Sequence, residues 1–594
     1  MMFFMNNAEN MNDSLNNKRH TLAHLLAAAV LALRPDSKNT IGPAIDTGFY
    51  YDFEFSTPLS DKDLKDIEKK MRKFLPSWKE FTHKEVLAEE ARELFKGNPY
   101  KLELIEEIVA KGEKITLYTC GSGDTEFTDL CRGGHSENPA KEIDADSFKL
   151  SHIAGAYWRG DEKNTMLTRV YGLAFDTKEE LDGYLSNLAE AEKRDHRKLG
   201  QELDLFHFDE AIGKGLPIWL PKGNIIKEEL EKWAKETEDA WDYQRVTTPI
   251  ITKESLFYTS GHLPLYKESM YAPIVIEDEN YYIKPMNCPF HHKTFAARPK
   301  SYKDLPVRLA EYGWCHRYED SGSLFGLMRV RGMQMNDAHI YIQKEKAVDE
   351  FVNVIKLHEY YYKTLGITNY NMELALRDPK NMEKYHGDES DWKDAENMTI
   401  EAMKKSGVPY TVVQEGAAFY GPKMDFQILS TTGRAFTAST NQLDLFMGKQ
   451  FGLEYTDSDG QKKTPAVIHR APLGTHERFI GFLIEHFAGA FPLWLSPVQV
   501  KIIPIAEPHH EYARTVATAF KKAGLRIELD DSNESLGKRI RETKVNKIPY
   551  TIIIGDKDIE AGKVTLESRK ETLGQKTLEE VLEQLTSERD SRSL

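Results

Sequence analysis

Apolar residues recur at helical spacing between residues 20 and 33, in the stretch that begins RHTLAHLLAAAV, and predict an early amphipathic helix. GFYYDFEF, residues 48 to 55, ends in the alternation of a half-buried strand, so the chain opens with an α+β module. At 177 to 180, TKEE supplies a helix-start signature, and Leu181, Tyr184, Leu185 and Leu188 follow at one-face spacing. A long linking helix is expected over about 178 to 200. From 208 to 496, helical stretches mix with strand-like runs such as YYIKPM and HIYIQ. After LWLSPVQ the pattern becomes strand (VQVKIIPI), helix (509 to 523), strand (LRIELDD), helix (535 to 545) and strand (YTIIIG), which predicts a small α/β domain with parallel strands.

These seams suit the length. A chain of 594 residues divides into several domains rather than one core. No run reaches the roughly 18 apolar residues that span a bilayer, so no membrane partner is expected. The polar, Asn-rich start resembles no targeting signal, which points to the cytoplasm and to a disordered tail over 1 to 18. Four cysteines, Cys120, Cys131, Cys288 and Cys315, are too few for a disulfide framework.

Charge changes the picture only locally. The net charge of −15 argues against polyanion binding by the whole surface, and DNA is not expected as a partner. Yet residues 498 to 594 hold 17 basic and 17 acidic side chains, so the rest of the chain carries that entire excess. Within this neutral tail KRIRETKVNK, 538 to 547, has five basic residues and one acid, a candidate grip for backbone phosphate.

Two clusters carry candidate chemistry. In CHRYEDSGSLFGLMRVRGMQMNDAHIY, 315 to 341, arginine-bearing runs flank a Ser/Gly loop, a strand-loop-strand pattern from which Arg317, Arg329 and Arg331 could fork onto phosphate while Glu319 accepts from an adenine or an amine. His20 and His24 share a helical face, and DLCRGGH places Cys131 and His135 at the same four-residue spacing. By spacing alone, a metal quartet and ordinary packing stand even for those four.

WDYQRVTTPIIT with Pro249, the Arg317-x-Glu319 run, and APLGTHERFIGFLIEHF with Arg478 together resemble the three motifs of class II aminoacyl-tRNA synthetases, the first of them dimer-forming. KPMNCPFH, GLMRVRG, NDAHIY, GAAFYGPKMDF, VIHRAPLG and AGAYWRGD narrow the resemblance to the threonyl-tRNA synthetase family, from about residue 19 to the end. The fold so implied is multidomain α+β. It has a tail at 1–18, an α+β editing domain at 19–177, a linking helix at 178–207, a class II catalytic core built on an antiparallel sheet at 208–496, and an α/β anticodon-binding domain at 497–594.

The resemblance implies ATP-dependent activation of threonine, transfer to tRNA(Thr) and hydrolysis of mischarged seryl-tRNA, in a homodimer. It implies one zinc ion on Cys288, His339 and His469, ATP with Mg²⁺ as substrate, and Asp337 accepting from threonine's hydroxyl. Arg317, Glu319, Arg329 and Arg478 would act in catalysis, His262 in transfer, and Tyr420, Lys423 and Gln442 as pocket or ribose contacts. Editing would fall to His20, His24, Cys131 and His135 without metal, with Lys101 at the ester and Asp129 at the amine; Asn533, Glu560 and Arg569 would read the anticodon. Cys120 and Cys315 match no chemistry and are expected to be packed thiols.

Three departures from the family pattern stand out. Met335 occupies a position where many members have glutamine, Gly134 replaces the proline of CRGPH, and the residues ahead of Arg19 are too few for the ubiquitin-like domain that often precedes editing. Two competing readings are a class II enzyme for another small amino acid and a synthetase-like regulator that keeps tRNA binding but not catalysis.

Overall fold

In the computed structural model, which describes residues 2–429 and 435–594, the chain forms two compact units, Met1–Leu188 and Ala189–Leu594. The first helix runs over Met2–Leu33, so the segment expected to be a disordered tail is helical from Met2. Leu22, Leu25, Leu26 and Ala29 are buried against Phe49, Tyr51 and Phe53 of the strand Gly48–Glu54. That strand is buried on both faces more than its alternation implied, because the helix covers one side of its sheet. The sheet is antiparallel, in the order Lys38–Asn39, Gly48–Glu54, Met166–Ala174, Phe148–Tyr157. A second antiparallel sheet joins Thr82–Val86, Ile115–Cys120 and Phe127–Leu130.

The linking segment is two helices, Lys178–Arg194 and His196–Glu202, not one. Thr177 caps the first by accepting from the Glu180 N–H at 3.2 Å, as TKEE predicts. The break falls at Asp195, whose carboxylate caps the second helix by accepting from the Arg197 N–H at 2.8 Å. The division between the two units, after Leu188, falls inside the first of these helices.

An eight-stranded sheet dominates the second unit. Its order is Gln244–Arg245, Val307–His316, Gly332–Ile342, Ala466–Ala471, Ala435–Asp444, Lys423–Leu429, Tyr370–Leu376, Tyr410–Gln414. The six central strands pair antiparallel, as expected, while both edge strands add in parallel. One face is packed by the helices Pro221–Ala240 and Ala347–Thr364 through Trp233, Phe351, Ile355 and Tyr361. Into that face the Arg470 guanidinium donates to Glu238 (2.7 Å) and to Asn336 Oδ1 (3.4 Å) and lies over the Tyr243 ring at 4.2 Å. Glu238 also accepts from Asn336 and Tyr312, both at 3.1 Å. Residues 500 to 577 form the expected C-terminal domain, but only Ile527–Leu529, Val500–Pro504 and Tyr550–Ile554 are parallel; Lys563–Ser568 and Thr572–Thr577 extend the sheet as an antiparallel hairpin.

Arg470 and Glu238 are both fully buried, so removing one leaves an uncompensated charge. Glu238→Leu is expected to lower the stability of the 189–594 unit by about 3–5 kcal/mol, read from urea unfolding followed by the fluorescence of Trp233.

Candidate functional site

Sheet register builds the larger site. His339 lies opposite His469, His469 opposite Gln442, and Gln442 opposite Lys423, so four strands contribute one row of side chains to the same face. Asp337 sits two residues before His339 and shares that face, whereas Asn336 and Arg470 point to the helix-packed side. Above the row the helix Cys288–Ala296 brings Cys288 to within 4.8 Å of ligand atoms on His339 and His469.

The imidazoles are oriented by a second layer of side chains. His469 Nε2 lies 3.0 Å from Asp444 Oδ2, so it carries the proton and donates, leaving Nδ1 as a lone pair. His339 Nδ1 lies 2.8 Å from His291 Nδ1, and His291 Nε2 lies 3.1 Å from Glu311 Oε2. Each ring donates outward to the next acceptor in that chain, which leaves His339 Nε2 as a lone pair. Both freed nitrogens, His339 Nε2 and His469 Nδ1, are buried and have no hydrogen-bond partner. Burial, then the neighbouring Asp337 charge, pushes the Cys288 thiol well above its usual range, so this sulfur ionises only beside a cation. Two orphaned imidazole nitrogens and a thiol, each ring anchored by an outer carboxylate, fit a zinc ion.

A cavity of about 530 Å³ opens over this floor, lined by Cys288, Asp337, His469, Gln442, Tyr420 and Lys423. Tyr420 stacks on His469 with ring centroids 4.8 Å apart and donates its hydroxyl to Gln442. Lys423 pairs with Asp425 at 2.7 Å. Asp337 accepts from Asn287 Nδ2 at 3.1 Å, and burial raises its pKa. The far wall carries Arg317, Glu319, Arg329 and Arg478. Burial, together with the Arg317 and Arg329 charges, pulls the Arg478 guanidinium below its ordinary value, with only Glu319 opposing. Like charges are gathered here as a receptor for an anion. Met335 lines the same cavity, and its strand bridges Thr475 at the start of the Arg478 helix.

Three expectations are corrected. Arg331 does not reach the cavity: its guanidinium donates to the Glu319 carbonyl (2.8 Å) and the Ser321 hydroxyl (3.3 Å). His262 is buried one layer behind, between Ser260 Oγ (2.7 Å) and Met286 Sδ (3.1 Å), its pKa lowered to about 4 by burial and Arg317. Arg569 spends all five N–H donors on the carbonyls of Lys547, Ala490 and Phe491 and the Ser496 hydroxyl, which makes it a strut rather than a base reader. Asn533 and Glu560 are exposed.

A second cavity, of about 380 Å³, belongs to the first unit and is lined by His20, His24, Lys101, Asp129, Cys131 and Tyr51. His20, His24, Cys131 and His135 bring one ligand atom each within 4.8 Å of the others. His20 Nδ1 donates to the Gly134 carbonyl at 3.2 Å, so Nε2 faces Cys131 Sγ, 3.7 Å away, as a base. That carbonyl belongs to a residue with φ +81, a conformation closed to proline, so glycine at 134 sets the turn that fixes the His20 tautomer. His135 lies behind the lining, stacked on Phe81 with centroids 4.0 Å apart. Lys101 pairs with Asp129 at full burial, and both meet the Tyr51 hydroxyl, which accepts from Lys101 at 3.2 Å and donates to Asp129. Cys120 and Cys315 are buried and their thiols are raised to about 11 and 12, as packed thiols should be.

Residues 271–487 match the tRNA synthetase class II core domain (G, H, P, S and T), and 499–588 match the anticodon binding domain. The chain is 46% identical over 587 residues to the threonine–tRNA ligase of Deinococcus radiodurans and 47% identical over 589 to that of Thermus thermophilus; each alignment covers 97% of this chain and 89% of the relative. The chain belongs to the threonyl-tRNA synthetase family. Its fold also matches the crystal structure of the RNA binding domain of threonyl-tRNA synthetase from Cryptosporidium parvum Iowa II, with a TM-score of 0.63, 35% identity, and coverage of 66% of this chain and 98% of that one.

Sequence reasoning missed Tyr51, His291, Glu311 and Asp444. His291 alone left a signal, three residues after Cys288 and so on the same helical face. The others come from strands whose pairing no local pattern discloses.

Burial, then the nearby His20, lowers the His135 pKa to about 3, while the unfolded chain protonates it near 6.5. The unfolded state therefore binds the extra proton between those values, and stability falls as pH drops through that window. The His135→Phe variant is expected to lose less stability between pH 6.5 and 4, by up to about 1.4 kcal/mol per pH unit, measured by proteolysis of the first unit in urea on the full chain.

Proposed function

We propose that the larger cavity activates threonine with ATP and charges tRNA(Thr), that the smaller one hydrolyses seryl-tRNA(Thr), and that residues 497–594 hold the anticodon. The observation that carries this reading is the His339–His469 row with Cys288 and Asp337 at the foot of a cavity walled by three arginines. Cys288, His339 and His469 would hold zinc, which when bound supplies coordination sites for threonine's amino and hydroxyl groups. Asp337, buried and steadied by Asn287, accepts from that hydroxyl. Valine can offer its amino group but leaves the hydroxyl position and Asp337 unpaired, and a polar site left unpaired rejects strongly. Serine differs by one methyl, worth roughly 1–3 kcal/mol, too little for accurate translation.

Chemistry in the first step is attack of the threonine carboxylate on the α-phosphate with departure of pyrophosphate. Negative charge grows on phosphate oxygens, and Arg317, Arg329 and Arg478, which line the cavity, supply the positive charge to stabilise it. Mg²⁺ accompanies the ATP. Tyr420, Gln442 and Lys423 bound the amino-acid side of the same floor and suit pocket or ribose contacts.

Editing rests on imidazoles that stay neutral. Burial lowers the pKa of His20, and of His24 more strongly, so both are bases at pH 7 and can orient and activate water without metal. Lys101, held by Asp129 and Tyr51, steadies the ester, and Asp129 faces the amine. Asn533 and Glu560 remain as base readers, beside the basic run 538–547. A homodimer is supported by Ile250, Ile251, Ile274, Val275 and Ile276, exposed apolar residues that follow Pro249 or lie on the adjoining sheet. The cytoplasm is the expected site of action; among the described residues no helix is long and apolar enough to cross a membrane.

Amino-acid-dependent ATP–pyrophosphate exchange tests the synthetic site. Threonine should be activated, serine about 10- to 200-fold less efficiently, and valine less still; a threonine reaction at background level refutes the reading. For editing, the His20→Ala/His24→Ala double variant should accumulate seryl-tRNA(Thr) while threonine exchange persists. Unchanged serine clearance in that variant removes the assignment.

A further inference from the structure

Asp195, His196 and Glu485 form a third cluster, ligand atoms within 4.8 Å, that no step above uses. It is not a metal site, because both nitrogens of His196 are engaged. Nδ1 lies 2.7 Å from Glu485 Oε1, which as a carboxylate must accept, so Nδ1 holds the proton. Nε2, left with its lone pair, accepts the backbone N–H of Leu327 at 3.0 Å. The ring is fully buried.

What it joins gives the cluster its meaning. Leu327 stands in the turn that links Glu319 to Arg329, closed by Met328 N–H to Phe325 O (2.9 Å) and by reciprocal 3.2 Å bonds between Phe325 and Arg329. Glu485 stands near the end of the helix His476–His486, whose first turn carries Arg478. Arg478 Nε in turn donates to the Met328 carbonyl at 3.1 Å. The imidazole thus closes a loop of contacts between the two backbone segments that bear cavity arginines. Space is shaped around it: a Cβ on Gly326 (φ +48) would fall 2.1 Å from His196 Nε2, and one on Gly481 would meet His196 Cδ2 at 3.6 Å. A second clasp lies outside, where the Arg197 guanidinium, forked to Asp195, covers the Phe325 ring at 4.4 Å.

We infer that His196 is a positioning residue for ATP, holding the 325–328 turn against the Arg478 helix so that Arg329 and Arg478 keep their spacing at the phosphate site. The inference rests on the assignment of those arginines to ATP, which threonine-dependent exchange by the unaltered enzyme tests separately. His196→Gln places a side-chain oxygen where Nε2 accepts, whereas His196→Asn keeps only a donor toward Glu485; each loses one of the two hydrogen bonds. The KM for ATP in exchange should rise roughly tenfold or more in the Asn variant and stay within about twofold in the Gln variant, with the KM for threonine unmoved in both. A merely structural histidine would lower the thermal midpoint in both and split neither constant. Because a buried site tolerates change poorly, Arg197→Ala, at an exposed side chain, is a second reading: the ATP KM should rise about two- to fivefold. Equal ATP constants in the Gln and Asn variants, or an unchanged one in Arg197→Ala, overturn the inference.

Discussion

The antiparallel register of Gly332–Ile342 against Ala466–Ala471 is the constraint on which the catalytic unit depends. Opposed residues in a sheet share a face and their neighbours take the other, so one pairing sends His339 and His469 to the cavity and Arg470 to the helices. A slip of one residue would exchange the two sets, burying imidazoles among Trp233 and Phe351 and turning a guanidinium into the substrate floor. Arg470 works against that slip: its partners Glu238, Asn336 and the Tyr243 ring lie only on the helix side, and a charge so enclosed has no second place to go. The buried ion pair on one face and the candidate metal ligands on the other are two consequences of the same pairing.

Anchoring of cavity side chains by a hidden layer recurs in both cavities. Asp444 and the His291–Glu311 relay orient two imidazoles in the larger site, and in the smaller one Tyr51 sits between Lys101 and Asp129 while the Gly134 carbonyl sets the tautomer of His20. The electrostatics of the two sites differ. One collects arginines that repel each other and await an anion; the other keeps histidines neutral by burial so that they can take a proton.

The chain itself was enough for several conclusions. Helical spacing over 20–33, the TKEE cap and the strand-helix alternation after 497 are local patterns, and each became the element it announced, because short-range periodicity reports which side of an element meets a core. Cys288, Arg317, Glu319 and Arg478, picked out through the motifs of the family resemblance, line one cavity. Locality also explains the misreadings. The spacing around 178–200 gave no hint that Asp195 would end one helix and cap the next, and Arg569 and His262 looked functional until carbonyls and a buried shell accounted for their donors.

Residue types and their spacing determined which local segments form helices and strands, and the family resemblance carried by the motifs pointed to the residues that line the cavities. Only the tertiary structure decided which groups meet: that His339 faces His469 across 130 residues of chain, that Tyr51 bridges Lys101 and Asp129, and that His196 reaches Leu327. The reason is physical. Local propensity acts over a few residues of backbone, whereas strand register and burial depend on the pairing of segments that no short window contains.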